Sequence, residues 1–395
     1  MARNTRWLSF LFLVVLSASL LVACAPQAAV PTPTPIAKAP VSTSQPAAGG
    51  TTTSATSAGT AKPAATTAAS PKPATTAAAA PAKTTNIKVG HLAVSSVGGL
   101  YYAMEKGLFA QEGINIELVS FKSITEMIAP LSKGELDIGH GSVAAGLFNA
   151  VSRGVDAKIV GGTSELPPGN KYAVWLIRKD LVGQVKDYSD LKGKKIAISS
   201  MGGLGEVALA KALAKANLTM SSVEVVQLGF PDMIVALGNN SVDLAYGLEP
   251  YITTALEKGV AAPWKDISEV IPNYQIGIWL ASPQFVGPNR EVAKRWMVAW
   301  LKGAREYTDV FFKNKGDKAG VVASLIKYTS IKDPALYDKM GPVSLSFNGY
   351  VMNQNISEQQ DYYSSVGGVQ SKVNIDALVD NGLADYAVQL LGKYQ

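Results

Sequence analysis

The stretch 125-TEMIAPLSKGELDIGHG-141 can be laid over 231-PDMIVALGNNSVDLAYG-247 at a constant offset of 106 residues. The overlay pairs Met127 with Met233, Ile128 with Ile234, Leu131 with Leu237, Asp137 with Asp243 and Gly141 with Gly247. Each copy reads as a helix, a turn, an acidic strand start and a glycine, and one such unit used twice predicts two similar lobes. The flanks agree. On the amino side, 87-IKVGHLAV-94 reads as a strand, 99-GLYYAMEKGLF-109 as a helix and 114-INIELVSF-121 as a strand. Around the second copy come the strand 172-YAVWLIRK-179, the stretch 190-DLKGKKIAISS-200 with a strand over Lys195 to Ser199, a helix from Leu204 to Asn217 and the strand 223-VEVVQL-228, then the helix 249-EPYITTALEKG-259. Alternation of this kind predicts an α/β chain with a mostly parallel sheet in each lobe, flanked by helices. The run 275-QIGIWLAS-282 and a long helix over about 289–313 take the chain back. The expected division is lobe 1 over 86–168 plus 278–395 and lobe 2 over 169–277, joined by two hinge crossings that let a cleft open and close.

The 36 Lys and Arg against 30 Asp and Glu among 395 residues would suit a nucleic-acid partner. Six of the basic residues, Arg3, Arg6, Lys38, Lys62, Lys72 and Lys83, precede Asn86, where no acid occurs, so the remainder balances at 30 against 30. No nucleic-acid partner is expected. Residues 1–23 have the basic start, apolar run and small-residue close of a signal peptide, and Leu21-Val22-Ala23-Cys24 resembles a bacterial lipobox. That resemblance implies a chain cut before Cys24 and lipidated there, anchored to the extracytoplasmic face of the cell membrane by acyl chains. Residues 24–85, the lipidated Cys and an Ala/Pro/Thr-rich stretch, cannot bury enough apolar area to offset ordering entropy and read as a disordered tether. Because Cys24 is the single cysteine, intramolecular disulfides and Cys-based metal sites are excluded.

Ligands in open α/β sheets sit beyond the carboxyl ends of strands, near helix N-termini. Five Gly/Ser/Thr-rich segments qualify: 95–99, 139–142, 162–165, 199–203 and 246–249. The match of 203-GLGEVA-208 to a dinucleotide fingerprint lacks the acid at the end of the next strand, so it reads as a polar-group cradle and no cofactor is expected. With only two histidines, His91 and His140, a multi-histidine metal site is impossible, and no triad spacing accompanies His140. The aromatics Tyr101, Tyr172, Phe230 and Tyr246 fall near the expected cleft and would suit a flat ring. No Arg occurs in the five segments.

The strings 104-MEKGLFAQEGINIELV-119, 133-KGELDIGHGS-142, 190-DLKGKKIAI-198 and 242-VDLAYGLEPY-251, in this order, resemble the substrate-binding proteins of the nitrate/sulfonate/taurine class of ABC importers, a group that includes NMT1/THI5-like pyrimidine binders and riboflavin binders. The resemblance implies a two-lobed periplasmic-binding-protein fold of the second type, a non-enzymatic role, and delivery of a small molecule to a permease driven by a separate ATPase. A monomer is expected. By place, it carries ligand contacts to Ser95 and Ser96, His140 and Ser142, Thr163, Ser200, Met201, Gly202 and Gly203, Asp232, and Tyr246 and Glu249. The aromatics and the lack of Arg favour riboflavin or a thiamine pyrimidine, with an alkanesulfonate, taurine or nitrate as the alternative and an enzyme using His140 as the opposing class.

Overall fold

The computed structural model describes residues 84–395, so the expected signal peptide, Cys24 and nearly all of the tether lie outside the described residues. Two sheets organise the rest. The first contains β1 (Thr85–His91), β2 (Ile114–Ser120), β3 (Ile138–Gly141), β4 (Lys158–Leu166), β10 (Tyr274–Ala281) and β11 (Ser344–Leu345), in the order β2-β1-β3-β10-β4-β11. The second contains β5 (Ala173–Arg178), β6 (Lys195–Ile198), β7 (Glu224–Gln227), β8 (Leu244–Leu248) and β9 (Ala261–Asp266), in the order β7-β6-β8-β5-β9. Over their first five positions the two orders match, β11 having no counterpart, and β10 in the first sheet occupies the place of β5 in the second.

The sheets are mixed, which corrects the expectation of mostly parallel ones. Pairs β1–β2, β1–β3, β6–β7 and β6–β8 are parallel, whereas β10 runs antiparallel to β3 and β4, and β5 antiparallel to β8 and β9. The physical reason is the crossings. The chain leaves β4 for β5 in the other sheet and returns from β9 to β10, so β5 and β10 each enter at the end where the neighbouring strand finishes, Ala173 beside Leu248 and Tyr274 beside Leu166, and must run the opposite way. The expected boundary at 277/278 falls inside β10, all of which belongs to the first sheet.

Helices α1 (Gly98–Glu105), α2 (Leu108–Gln111), α3 (Ile124–Lys133) and α4 (Ala145–Ser152) follow the early strands. In the second lobe come α5 (Leu204–Ala214), α6 (Phe230–Gly238) and α7 (Tyr251–Glu257), and after β10 come α8 (Pro283–Val286), α9 (Arg290–Lys313), α10 (Lys318–Tyr328), α11 (Asn353–Ser365), α12 (Ile375–Leu378) and α13 (Gly382–Leu391). The amphipathic α9 buries Trp296, Trp300 and Tyr307 beneath the first sheet, with Trp279 of β10 edge-on to Trp296 at 4.8 Å and to Trp300 at 5.1 Å. Burying aromatics of this size supplies much of that lobe's apolar stabilisation. No described helix is long and apolar enough to cross a membrane.

Candidate functional site

The repeated unit ends at a cavity between the two sheets. His140 on β3 and Tyr246 on β8, the residues that the 106-residue offset pairs, both line it. Its volume is about 30 Å³, and the walls include Ser96, Ser142, Tyr172, Phe230, Leu204 and Gly277. Among the described residues no charged side chain lines it. Tyr246 meets Trp175 edge-on at 5.8 Å, and Phe230 stacks on Tyr251 at 5.5 Å, so both walls are held by further rings.

His140 is 2% exposed, and its Nε2 lies 3.2 Å from both Ser96 Oγ and Thr163 Oγ1. Burial depresses its pKa to about 3, which keeps the imidazole neutral at ordinary pH. Nδ1 has no partner, and neither does the buried hydroxyl of Tyr172, which lies beside Ser96 outside hydrogen-bond geometry. Gly277 is required here, because a Cβ would run into Thr163 Oγ1 and approach His140 Nε2 to 3.1 Å. The first turn of α5, whose N–H groups lack intrahelical acceptors, presents Leu204 and Gly205 to the cavity.

Of the sequence-predicted residues, Ser96, His140, Ser142, Tyr172, Phe230 and Tyr246 line this cavity. Thr163 stands one hydrogen bond behind it, and as a residue of β4 rather than of the expected turn. The segment 162–165 is strand because β4 lies between β10 and β11, and Gly162 admits the Tyr350 carbonyl where a side chain would collide. Ser95 is buried beside the crossing, its N–H bonded to the Glu249 carbonyl at 3.0 Å. Tyr101 faces away, holding His91 Nδ1 at 2.9 Å and stacking on Tyr328 at 4.8 Å. Ser200 is buried against Gly203, the N-cap of α5.

Met201 and Gly202 line a separate pocket on the outer side of the same turn, with Glu206 and Tyr363. The carbonyl of Gly202 accepts from Ala145 N at 2.8 Å, a direct tie between lobes. Asp232 is at the surface, paired with Lys122 at 3.1 Å across the cleft. Glu249 is not among the cavity walls. Its carboxylate accepts from Thr253 N at 3.1 Å, Thr253 Oγ1 at 3.0 Å and Gly341 N at 3.4 Å, and burial raises its pKa to about 7. Sequence reasoning missed Leu204, Gly205, Ile276 and Gly277 as wall residues. The glycine inside the apolar run of β10 was the available signal, since such glycines mark close approaches. No cluster of three or more His, Cys, Asp or Glu able to hold a metal occurs among the described residues.

A model of the family described as NMT1/THI5 like matches residues 95–309, more than half of the chain and including every cavity wall except Leu92 and Val94. The chain belongs to this NMT1/THI5-like family. The chain is 25% identical over 312 residues to a protein of Brucella abortus strain 2308 named as a binding protein, covering 76% of this chain and 91% of the relative. It is 24% identical over 220 residues to the 4-amino-5-hydroxymethyl-2-methylpyrimidine phosphate synthase of Aspergillus parasiticus, 53% of this chain and 61% of the relative. Among solved structures, the alkanesulfonate-binding protein SsuA of Xanthomonas axonopodis pv. citri, bound to MOPS, superposes with a TM-score of 0.61 at 20% identity, covering 76% of this chain and 99% of the other. That likeness establishes the two-lobed binding-protein fold.

Proposed function

We propose that this chain is the extracytoplasmic solute-binding lipoprotein of an ABC importer, lipidated at Cys24, tethered through residues 24–85, and acting as a monomer that hands its ligand to a membrane permease and its ATPase. The two lobes, with the whole of β10 in the first, would close on the ligand, and the closed form is what a permease can distinguish. The observation that carries the reading is an uncharged, aromatic-walled cavity placed between two lobes with two crossings.

For the ligand, the same cavity supports a compact neutral ring of the pyrimidine class. The cavity is small, about 30 Å³, so the lobes must part less to admit a single ring than to admit the larger riboflavin, which favours the single ring. The Glu206 carboxylate in the first turn of α5 accepts from Gly202 N at 2.5 Å and offsets the positive end of that helix, which disfavours an anion there. An alkanesulfonate, taurine or nitrate is the second reading, favoured by the sulfonate-binding neighbour and by the α5 first turn at the cavity. A hydrolytic role for the Ser96–His140 pair is disfavoured, since a base held at a pKa of about 3 is a poor proton acceptor at neutral pH.

The test is thermal unfolding of the purified protein with 4-amino-5-hydroxymethyl-2-methylpyrimidine, riboflavin, taurine and nitrate in turn. A ligand at 100 times its Kd stabilises the native form by about 2.7 kcal/mol. The pyrimidine is expected to give the largest shift; a shift with taurine or nitrate alone sinks the ring reading.

A further inference from the structure

Two polar atoms without partners sit on residues of one cavity wall: the hydroxyl of Tyr172, in a residue 0% exposed, and Nδ1 of His140, in a residue 2% exposed. Both side chains adjoin Ser96, which brings them to the same side of the site. Buried hydroxyls and imidazole nitrogens are normally hydrogen-bonded, and an orphaned pair at a cavity implies groups that arrive with the occupant. The opposite nitrogen of the imidazole is already taken. Nε2 lies 3.2 Å from the hydroxyls of both Ser96 and Thr163, and a hydroxyl can accept from it as readily as donate to it.

We infer that the Tyr172 hydroxyl and His140 Nδ1 form a two-point hydrogen-bonding edge that selects a ligand carrying an acceptor beside a donor, as in the amidine edge of a 4-aminopyrimidine. The inference deepens the proposed pyrimidine reading and rests on it. Tyr172 donates to the ring nitrogen, and Nδ1 accepts from the neighbouring exocyclic amine. That assignment puts the imidazole proton on Nε2, donated to Ser96 or Thr163. Burial holds His140 neutral and keeps the Tyr172 phenol protonated, as the scheme requires. An anion such as a sulfonate, with acceptors only, would demand the other tautomer, with Nδ1–H donating. Tyr172 also stands where the chain crosses between lobes, and its carbonyl accepts from Glu249 N at 3.1 Å, so the donor is fixed to the crossing.

The experiment measures binding of 4-amino-2-methylpyrimidine and of its carbocyclic analogue 3-methylaniline to the wild-type protein and to Tyr172→Phe. Tryptophan fluorescence is the readout, since Trp279 lies 5.3 Å edge-on from His140. In the wild-type protein the pyrimidine binds more tightly than the analogue, and Tyr172→Phe weakens the pyrimidine by about 10- to 100-fold while leaving the analogue unchanged. A second measurement needs no variant: ¹⁵N chemical shifts of the His140 ring in the pyrimidine complex report the Nε2–H tautomer. Equal pyrimidine affinity in wild type and Tyr172→Phe, or an Nδ1–H tautomer in the complex, overturns the edge while leaving the pyrimidine reading intact. Failure of the wild-type protein to bind 4-amino-2-methylpyrimidine overturns the ligand class, and the edge with it.

Discussion

Asp137 and Asp243, 106 residues apart in sequence, make the same set of bonds in the two lobes. Asp137 donates its N–H to the Lys88 carbonyl at 3.0 Å and accepts from Lys88 N through Oδ2 at 2.8 Å; Asp243 does the same with Lys195 at 2.7 and 2.9 Å. Even the carbonyls correspond, that of Asp137 accepting from Ser282 N at the end of β10 and that of Asp243 from Arg178 N at the end of β5, each at 2.9 Å. Each carboxylate thus pins the central parallel strand to its neighbour. Asp137→Ala should destabilise by about 1–3 kcal/mol, the range for a charged acceptor on backbone N–H. Asp243→Ala should do more, because it also removes one of the two carboxylates paired with the largely buried Arg178, that at 3.3 Å, leaving only Asp180 at 2.6 Å. Urea midpoints for the two variants check the ordering.

Closure of the cleft rests on unequal ties. Gly202 adopts φ +67°, and a Cβ there would come within 3.0 Å of the Ala145 Cβ just where its carbonyl accepts from Ala145 N. Gly202→Ala should weaken closure by about 1–2 kcal/mol through left-handed strain, read as a roughly tenfold faster ligand release. Lys122→Ala removes an ion pair whose side chains are 71% and 50% exposed, and should change release by no more than a few-fold. Equal effects from the two would refute this ranking. Stopped-flow displacement distinguishes them.

Stability should respond to pH with opposite signs at two places. Burial lowers His91 to about 4 and His140 to about 3 from 6.5, so below pH 6.5 the unfolded chain binds protons that the native one refuses, and stability is lost as pH falls. Glu249 is raised from 4.5 to about 7, so its contribution, complete below pH 4.5, is lost as pH rises through 7, by about 3 kcal/mol at most. Relative to wild type, Glu249→Gln should therefore gain stability between pH 5 and pH 8. Denaturant unfolding at pH 5, 6, 7 and 8 gives the difference directly, and a flat difference would show that Glu249 is not proton-linked to folding.

Helices α1 and α9 approach at backbone distance. A Cβ on Gly99 would sit 2.7 Å from Ala304 N and Cα, and one on Gly303 would run into the Gly99 carbonyl. Gly303→Val should destabilise by at least about 1–3 kcal/mol from overpacking. It should also weaken ligand binding, because α1 follows directly on the Ser95–Val97 turn that supplies Ser96 to the cavity. Thermal unfolding and a ligand titration measure the two effects together.

Much of this was legible beforehand, for identifiable reasons. The long α9 reads from its apolar stripe, and both copies of the repeated unit read from matched helix-to-strand turns, because these are local patterns of side-chain periodicity. Strand direction did not read. The apolar runs that became β5 and β10 fit either direction equally well, so the mixed character of the sheets was hidden. Glu249 fell in the right segment, yet its carboxylate turns to Thr253 and Gly341. A backbone carbonyl or N–H is presented by every non-proline residue, and nothing in the residue types around Glu249 says which of them will come near.

The sequence by itself determined the two-fold repetition, the electrical balance of residues 86–395 and the family, since each is carried by residue identity and spacing along the chain. Only the tertiary structure decided which polar groups share the cavity. Ser96, His140, Tyr172 and Gly277 in its walls and Thr163 one hydrogen bond behind come from five separate segments. Their meeting depends on two crossings that bring β10 back between β3 and β4. Desolvation then does what no residue type announces: it makes one histidine neutral and leaves a phenol and a ring nitrogen without partners. Both follow from burial, a property of the packed chain as a whole.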